Sequence, residues 1–230
     1  MTLQSKWATR VVAVGAIALA GILPIGTTTA GADPSTPDGA GIARLAEASY
    51  ASTQVTVDYG CLVTFPGGSA TMPYSLTFKV TAPSSVPPKG LFGIAFDPPV
   101  ITPNPTFQSD VRDVELRFRL PSNASLLGYV LYGGSNLSGA TTVERKGDVL
   151  VLKAAGPFTA NVPFDLPTLA VGLVAGSTGV ARSATGGTSV DNPSFRWVRN
   201  SVTPGDPPNT LRPLLCEPPA PVTLSSTAIG

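Results

Sequence analysis

No histidine occurs anywhere in the 230-residue chain. That absence removes Ser-His-Asp and Cys-His nucleophilic mechanisms, histidine-based zinc sites and most transition-metal centres. Cysteine is nearly as scarce. The two that exist, Cys61 and Cys216, lie 155 positions apart and cannot complete a structural zinc site. No Gly-x-Ser-x-Gly or Ser-x-x-Lys element is present. The Gly-rich "YGGSNLSGA" (132–140) lacks the Lys-Ser/Thr ending of a phosphate loop and reads as a turn. No cofactor is therefore expected.

What is present begins with an export signal. Lys6 and Arg10 precede the apolar run "VVAVGAIALAGILPIG" (11–26), and "AGA" (30–32) supplies small residues for cleavage before Asp33. The run is shorter than the roughly 20 residues of a spanning helix. Residues 1–32 are therefore read as a signal peptide, and no membrane span is expected in the mature chain. Removing Lys6 and Arg10 lowers the basic count from 15 to 13 against 14 acidic residues, a net charge of −1. Such a balance lacks the basic excess that neutralising phosphates needs, so nucleic acid is not an expected partner.

In an oxidising compartment two cysteines are expected to bond, so Cys61 and Cys216 are assigned to a disulfide. Chain-entropy reasoning gives a loop of that length about 5 kcal/mol of stabilisation. A catalytic thiol would need a base, and the usual one is missing.

Residues 33–52 form a Pro/Gly-rich lead-in with a short helix expected around Ile42, Leu45 and Ala46. From Thr53 the pattern changes to period two. In "TQVTVDYGC" (53–61), Val55, Val57, Tyr59 and Cys61 share a face, and "YSLTFKV" (74–80) alternates likewise. In "DVELRFRLP" (113–121), Val114, Leu116, Phe118 and Leu120 alternate with Glu115, Arg117 and Arg119. These are strands with one buried and one wet face. "VERKGDVLVLK" (143–153) reads as two strands around a tight turn, and further strands are expected near 90–96, 127–133, 157–164, 167–175, 194–200 and 220–229. The 24 prolines punctuate these runs, and with 24 glycines they leave no room for long helices. The expected fold at 53–230 is all-β: an immunoglobulin-like sandwich of two antiparallel sheets with about ten strands. "DPPVITPNPTFQSD" (97–110) is expected as a long surface loop, and "AGSTGVARSATGGTSVDNP" (175–193) as a loop or weak hairpin.

The run Tyr59-x-Cys61-x-x-x-Phe65-Pro66, followed by "APSSVPPKG" (82–90), resembles exported all-β domains found in actinobacteria. In that group an early Tyr-x-Cys element and a late cysteine bracket the domain, as Cys61 and Cys216 do here. The resemblance spans roughly 53–230, implies a secreted or cell-envelope β-sandwich and carries no catalytic residues.

Carboxylates are the remaining catalytic currency. Asp110, Asp113 and Glu115 cluster, with Asp97 and Asp191 in expected loops. A glycoside hydrolase needs two opposed carboxyls. Here Asp113 and Glu115 share one strand face among Arg112, Arg117 and Arg119, which reads as a charge-paired surface. The spacing of Asp110 and Asp113 matches no EF-hand loop, so no metal is assigned. Of the aromatics, Tyr129 and Tyr132 fall near strand ends, whereas Phe195 and Trp197 in "SFRWVRN" (194–200) alternate with arginines and are expected in the core. "NAS" (123–125) and "NLS" (136–138) match glycosylation acceptors but read as turns.

The leading functional expectation is a secreted or envelope module that binds or builds surface structure without catalysis, its partner an envelope component. An alternative is a carrier that holds lipid or another apolar ligand between the sheets, since "LLGYVLYGG" (126–134) and "LAVGLVAG" (169–176) have more apolar positions than one buried face requires. The third is a carboxylate hydrolase.

Overall fold

The structure, a computed structural model, describes residues 49–230; the expected signal peptide and the expected short helix around Ile42 lie outside the described residues. Those described form fourteen strands and no helix, the all-β class that the alternation indicates. β1 (Tyr50–Phe65) and β2 (Gly68–Pro83) make a hairpin paired along its whole length, from Tyr50 opposite Pro83 to Phe65 opposite Gly68. There follow β3 (Ser85–Val86), β4 (Leu91–Asp97), β5 (Gln108–Arg119), β6 (Ala124–Tyr132), β7 (Thr141–Lys146) and β8 (Val149–Ala154). The chain ends with β9 (Phe158–Thr159), β10 (Thr168–Ala175), β11 (Gly179–Thr185), β12 (Phe195–Ser201), β13 (Leu211–Glu217) and β14 (Thr223–Ile229).

Two separately bonded sheets were expected, and the hydrogen bonds instead run as one network. Its order is β3-β14-β11-β5-β12-β13-β1-β2-β4-β10-β6, with β8 and β9 on β5 and β7 on β8. Only β3 and β14 run parallel. The network doubles back so that distant strands face each other. Phe118 of β5 stacks on Phe96 of β4 at 4.7 Å and meets Phe78 of β2 edge-on at 5.9 Å. β5 joins the parts together. One edge pairs with β8; the other is shared between β12 and, at Phe118 and Arg119, β11. At Asp113, with φ of 50°, the pairing with β12 slips by one residue. An extra residue in one strand bends it and sharpens its twist, which lets a single strand serve neighbours in different directions. The end strands β6 and β7 exchange no backbone hydrogen bond; the Tyr129 hydroxyl donates to the Val143 carbonyl at 3.3 Å between them.

The interior is apolar and continuous. Phe78, Phe96, Phe118, Phe164 and Phe195 are each fully buried in it. Three strands were not anticipated: the two-residue β3, β11 and β13. β11 lies inside 175–193, where a loop or weak hairpin is expected, and buries Ala181, Ser183 and Thr185, too small to register as a hydrophobic alternation. β13 contains Pro213, which lies just beyond the residues that pair with β1, where β13 has only β12 beside it and a missing donor does least harm. The expected strand at 157–164 contracts to Phe158–Thr159. The loop 97–110 is anchored rather than free, since Ile101 is buried and bonds with Phe164 in both directions at 2.9 Å.

Candidate functional site

Cys61 and Cys216 are direct cross-strand partners on β1 and β13, joined by a disulfide and fully buried on the core side. Strand alternation sends their neighbours Gly60, Leu62 and Glu217 to the opposite, outer face. There they floor a cleft of about 410 Å³, walled by Thr71 of β2, Pro218 and Pro219, and by Thr188 and Val190 of the β11–β12 connection. Because β13 was not anticipated, neither was the cleft.

The connection can overhang this face because of two glycines. Gly186 donates to the Arg117 carbonyl at 2.8 Å, so close that a Cβ would lie 2.9 Å from that of Arg117. Gly187 has φ of +84°, and a Cβ there would run into the Ser194 backbone. The chain then leaves the sheet and returns at Ser194, whose carbonyl accepts from Arg117 at 3.0 Å. Between them Asn192 donates to Ser189 O at 2.9 Å, Thr188 donates to Asn192 O at 3.0 Å, and the Arg117 guanidinium donates to the Asn192 side chain. Glu217 is the one ionisable side chain lining the cleft.

The candidate carboxylates are placed separately. Asp110 accepts from Arg112 at 2.7 Å, Asn200 at 3.0 Å and Ser109 at 3.3 Å. Burial pushes its carboxyl up, but those bonds and the Arg112 charge outweigh it and hold it below the ordinary value. Asp113 is exposed at the bulge. Glu115 is turned to the outer face among Arg117 at 3.4 Å, Lys153 at 3.9 Å and Arg196 at 3.9 Å. Asp110 and Glu115 share no partner, and Asp191 is exposed on the cleft loop. Asp97 accepts from Thr168 at 2.9 Å. It also lies near Asp165, whose carboxyl is raised by burial and then by the Asp97 charge. This pairing depends on β4 lying beside β10, which local sequence does not indicate. Among the described residues no group of three His, Cys, Asp or Glu side chains is arranged to hold a metal.

Phe195 and Trp197 pack into the core with Tyr74, at 5.6 and 5.7 Å, as their alternation indicates. Tyr129 and Tyr132 remain exposed on β6. The surplus apolar positions of β6 are on the outside: Leu127, Val130 and Tyr132 are all more than half exposed. Asn123 and Asn136 donate to the chain's own carbonyls of Thr178 and Pro163, which suits their reading as turn residues.

No protein-family model matches the chain, and no curated protein matches it in sequence. Among solved structures it is similar to a Corynebacterium diphtheriae protein described as membrane-anchored by inference, with 15% identity and a TM-score of 0.52. The match covers 77% of this chain and 38% of that one, so the chain spans well under half the length of its structural neighbour. The likeness is one of fold.

Proposed function

We propose that this protein is an extracytoplasmic binding module that holds an envelope component in the cleft between the outer face of β1, β2 and β13 and the loop at 187–193. The observation that carries this reading is the placement of the disulfide directly beneath the cleft floor. A covalent bond there keeps Gly60, Leu62 and Glu217 in register, and a preformed surface loses little entropy when a ligand arrives. The described residues contain no helix long and apolar enough to cross a membrane. The disulfide agrees with an oxidising location. The fold shared with a protein described as membrane-anchored agrees with a place in the envelope. Proline, leucine, valine and threonine with one carboxylate suit a partner offering apolar groups and hydrogen-bond donors, such as a peptide or a glycan, and the reading involves no catalysis.

The test is a titration of isotopically labelled protein with soluble peptidoglycan fragments. Amide signals of Gly60, Leu62, Thr188 and Val190 should shift together, and Thr71→Trp, which fills the cleft, should weaken binding at least about tenfold. Shifts confined to other strands would overturn the assignment. A second reading, a carrier of an apolar ligand, draws on the exposed Leu127, Val130 and Tyr132 of β6, a strand that exchanges no backbone hydrogen bond with β7. A carrier would yield extractable lipid from the purified protein by mass spectrometry.

A further inference from the structure

Twelve of the 15 basic and eleven of the 14 acidic residues lie in the described part, a net charge of +1. The register distributes them unevenly. Lys153 of β8 pairs with Glu115 of β5, which pairs with Arg196 of β12. Two and four residues along β5, Arg117 and Arg119 point the same way. Arg119 is flanked by Val149, opposite Lys146, and by Ala184, two residues from the exposed Arg182 of β11. This outer face therefore gathers six basic residues around Glu115, Glu144 and Asp148, a net of +3, and leaves the rest of the described molecule at −2. A charge balance near zero conceals a segregated surface.

The carboxylates on this face do not saturate its guanidinium groups. Among the described residues Arg119, Arg182 and Arg196 make no side-chain hydrogen bond. Arg119 has only Asp148, at 3.6 Å. The Nε atoms of Arg117, Arg119 and Arg196 are covered and turned from solvent, so a ligand on this face would meet the outer Nη groups. Guanidinium groups spaced along and across a sheet match oxyanions repeated along an extended chain. The exposed Leu91, Leu127, Val130 and Tyr132 lie on β4 and β6; beside the basic residues only Val180 of β11 is exposed, a single small side chain that cannot anchor in a bilayer.

We propose that the outer face of β5, β8, β11 and β12 is a docking surface for a hydrated linear polyanion of the acidic polysaccharide kind, separate from the cleft. The test is fluorescence anisotropy of labelled dextran sulfate and polygalacturonate, with neutral dextran as control, over a sodium chloride series. Both acidic polymers should bind at low salt and weaken steeply as salt rises, and neutral dextran should not bind. Arg119→Glu with Arg182→Glu should weaken binding at least about tenfold and flatten the salt dependence, whereas Lys79→Glu with Lys89→Glu, the same change in net charge away from this face, should not. Thr71→Trp should leave polymer binding unchanged, which separates this surface from the cleft. If circular dichroism shows the double glutamate variant unfolded, Arg119→Gln with Arg182→Gln replaces it. Equal loss from both lysine and arginine pairs, no polymer binding at low salt, or a preference for phosphatidylglycerol vesicles or duplex DNA over both polymers would overturn the proposal.

Discussion

Arg199 donates from Nη2 to the carbonyl oxygen of Thr64 at 2.8 Å, although 135 positions separate the two residues. Its Nη1 donates to Phe107 O at 2.8 Å and lies near the hydroxyls of Ser201 and Thr203. One guanidinium, 6% exposed, thus ties the end of β1, the approach to β5 and the turn after β12. Arg199→Met would remove the guanidinium donor from the Thr64 carbonyl and leave the Phe107 carbonyl only the Val202 amide, at 3.3 Å. Charge-assisted hydrogen bonds contribute about 1.5–3 kcal/mol each, so a loss of about 3 kcal/mol is expected from urea unfolding at an unchanged slope. Arg199→Lys should recover only part, because an ammonium cannot span both directions.

Asp206 gives the protein an acid limit. Arg212 donates to both of its carboxylate oxygens and Ser201 adds a bond of 2.6 Å. The Arg212 hydrogen bonds, against a smaller upward push from burial, bring the carboxyl from 3.8 to about 2. A depressed carboxyl stabilises the fold fully above its unfolded value. That contribution fades as the pH falls from about 4 through about 2. Asp206→Asn should therefore flatten the midpoint of unfolding against pH across this window. A variant with the same slope as the parent would remove Asp206 from the explanation.

Cys61→Ser with Cys216→Ser should lower stability by up to about 5 kcal/mol, with thermal denaturation as the measure. Cleft binding should weaken more than the polymer binding of the basic face, because the bond underlies one and not the other. Iodoacetamide applied to unreduced, denatured protein should label neither sulfur.

Gly187→Ala places a side chain where φ is +84° and the Ser194 backbone is in the way. The left-handed conformation alone costs about 1–2 kcal/mol, and relieving the collision must displace the loop. The expected result is a modest loss of stability with a large loss of cleft binding. Gly147→Ala, at a φ of 63° in open space, should cost stability and leave binding intact.

Strands with strong alternation were legible before any coordinates. Val114, Leu116, Phe118 and Leu120 point inward and Glu115, Arg117 and Arg119 outward, since the period of two is set by local geometry. β11 was hidden because Ala181, Ser183 and Thr185 bury well against β14 and β5 without being strongly apolar. β13 was hidden by Pro213. The bulge at Asp113 left no clear mark, since aspartate tolerates positive φ but adopts other conformations far more often. The cleft, the Asp97–Asp165 neighbourhood and the basic face all depend on which strands lie side by side. Register between segments a hundred residues apart is decided by burial over the whole fold, so no local window contains it.

The cross-strand bond has a mechanical corollary. Tension entering ahead of Cys61 and leaving beyond Cys216 passes straight from β1 to β13 through the sulfurs, bypassing the 154 residues between them. β5, β8 and β12 lie off that direct path. Stretching would peel the first part of β1 and all of β14, leaving the rest of the body slack and intact.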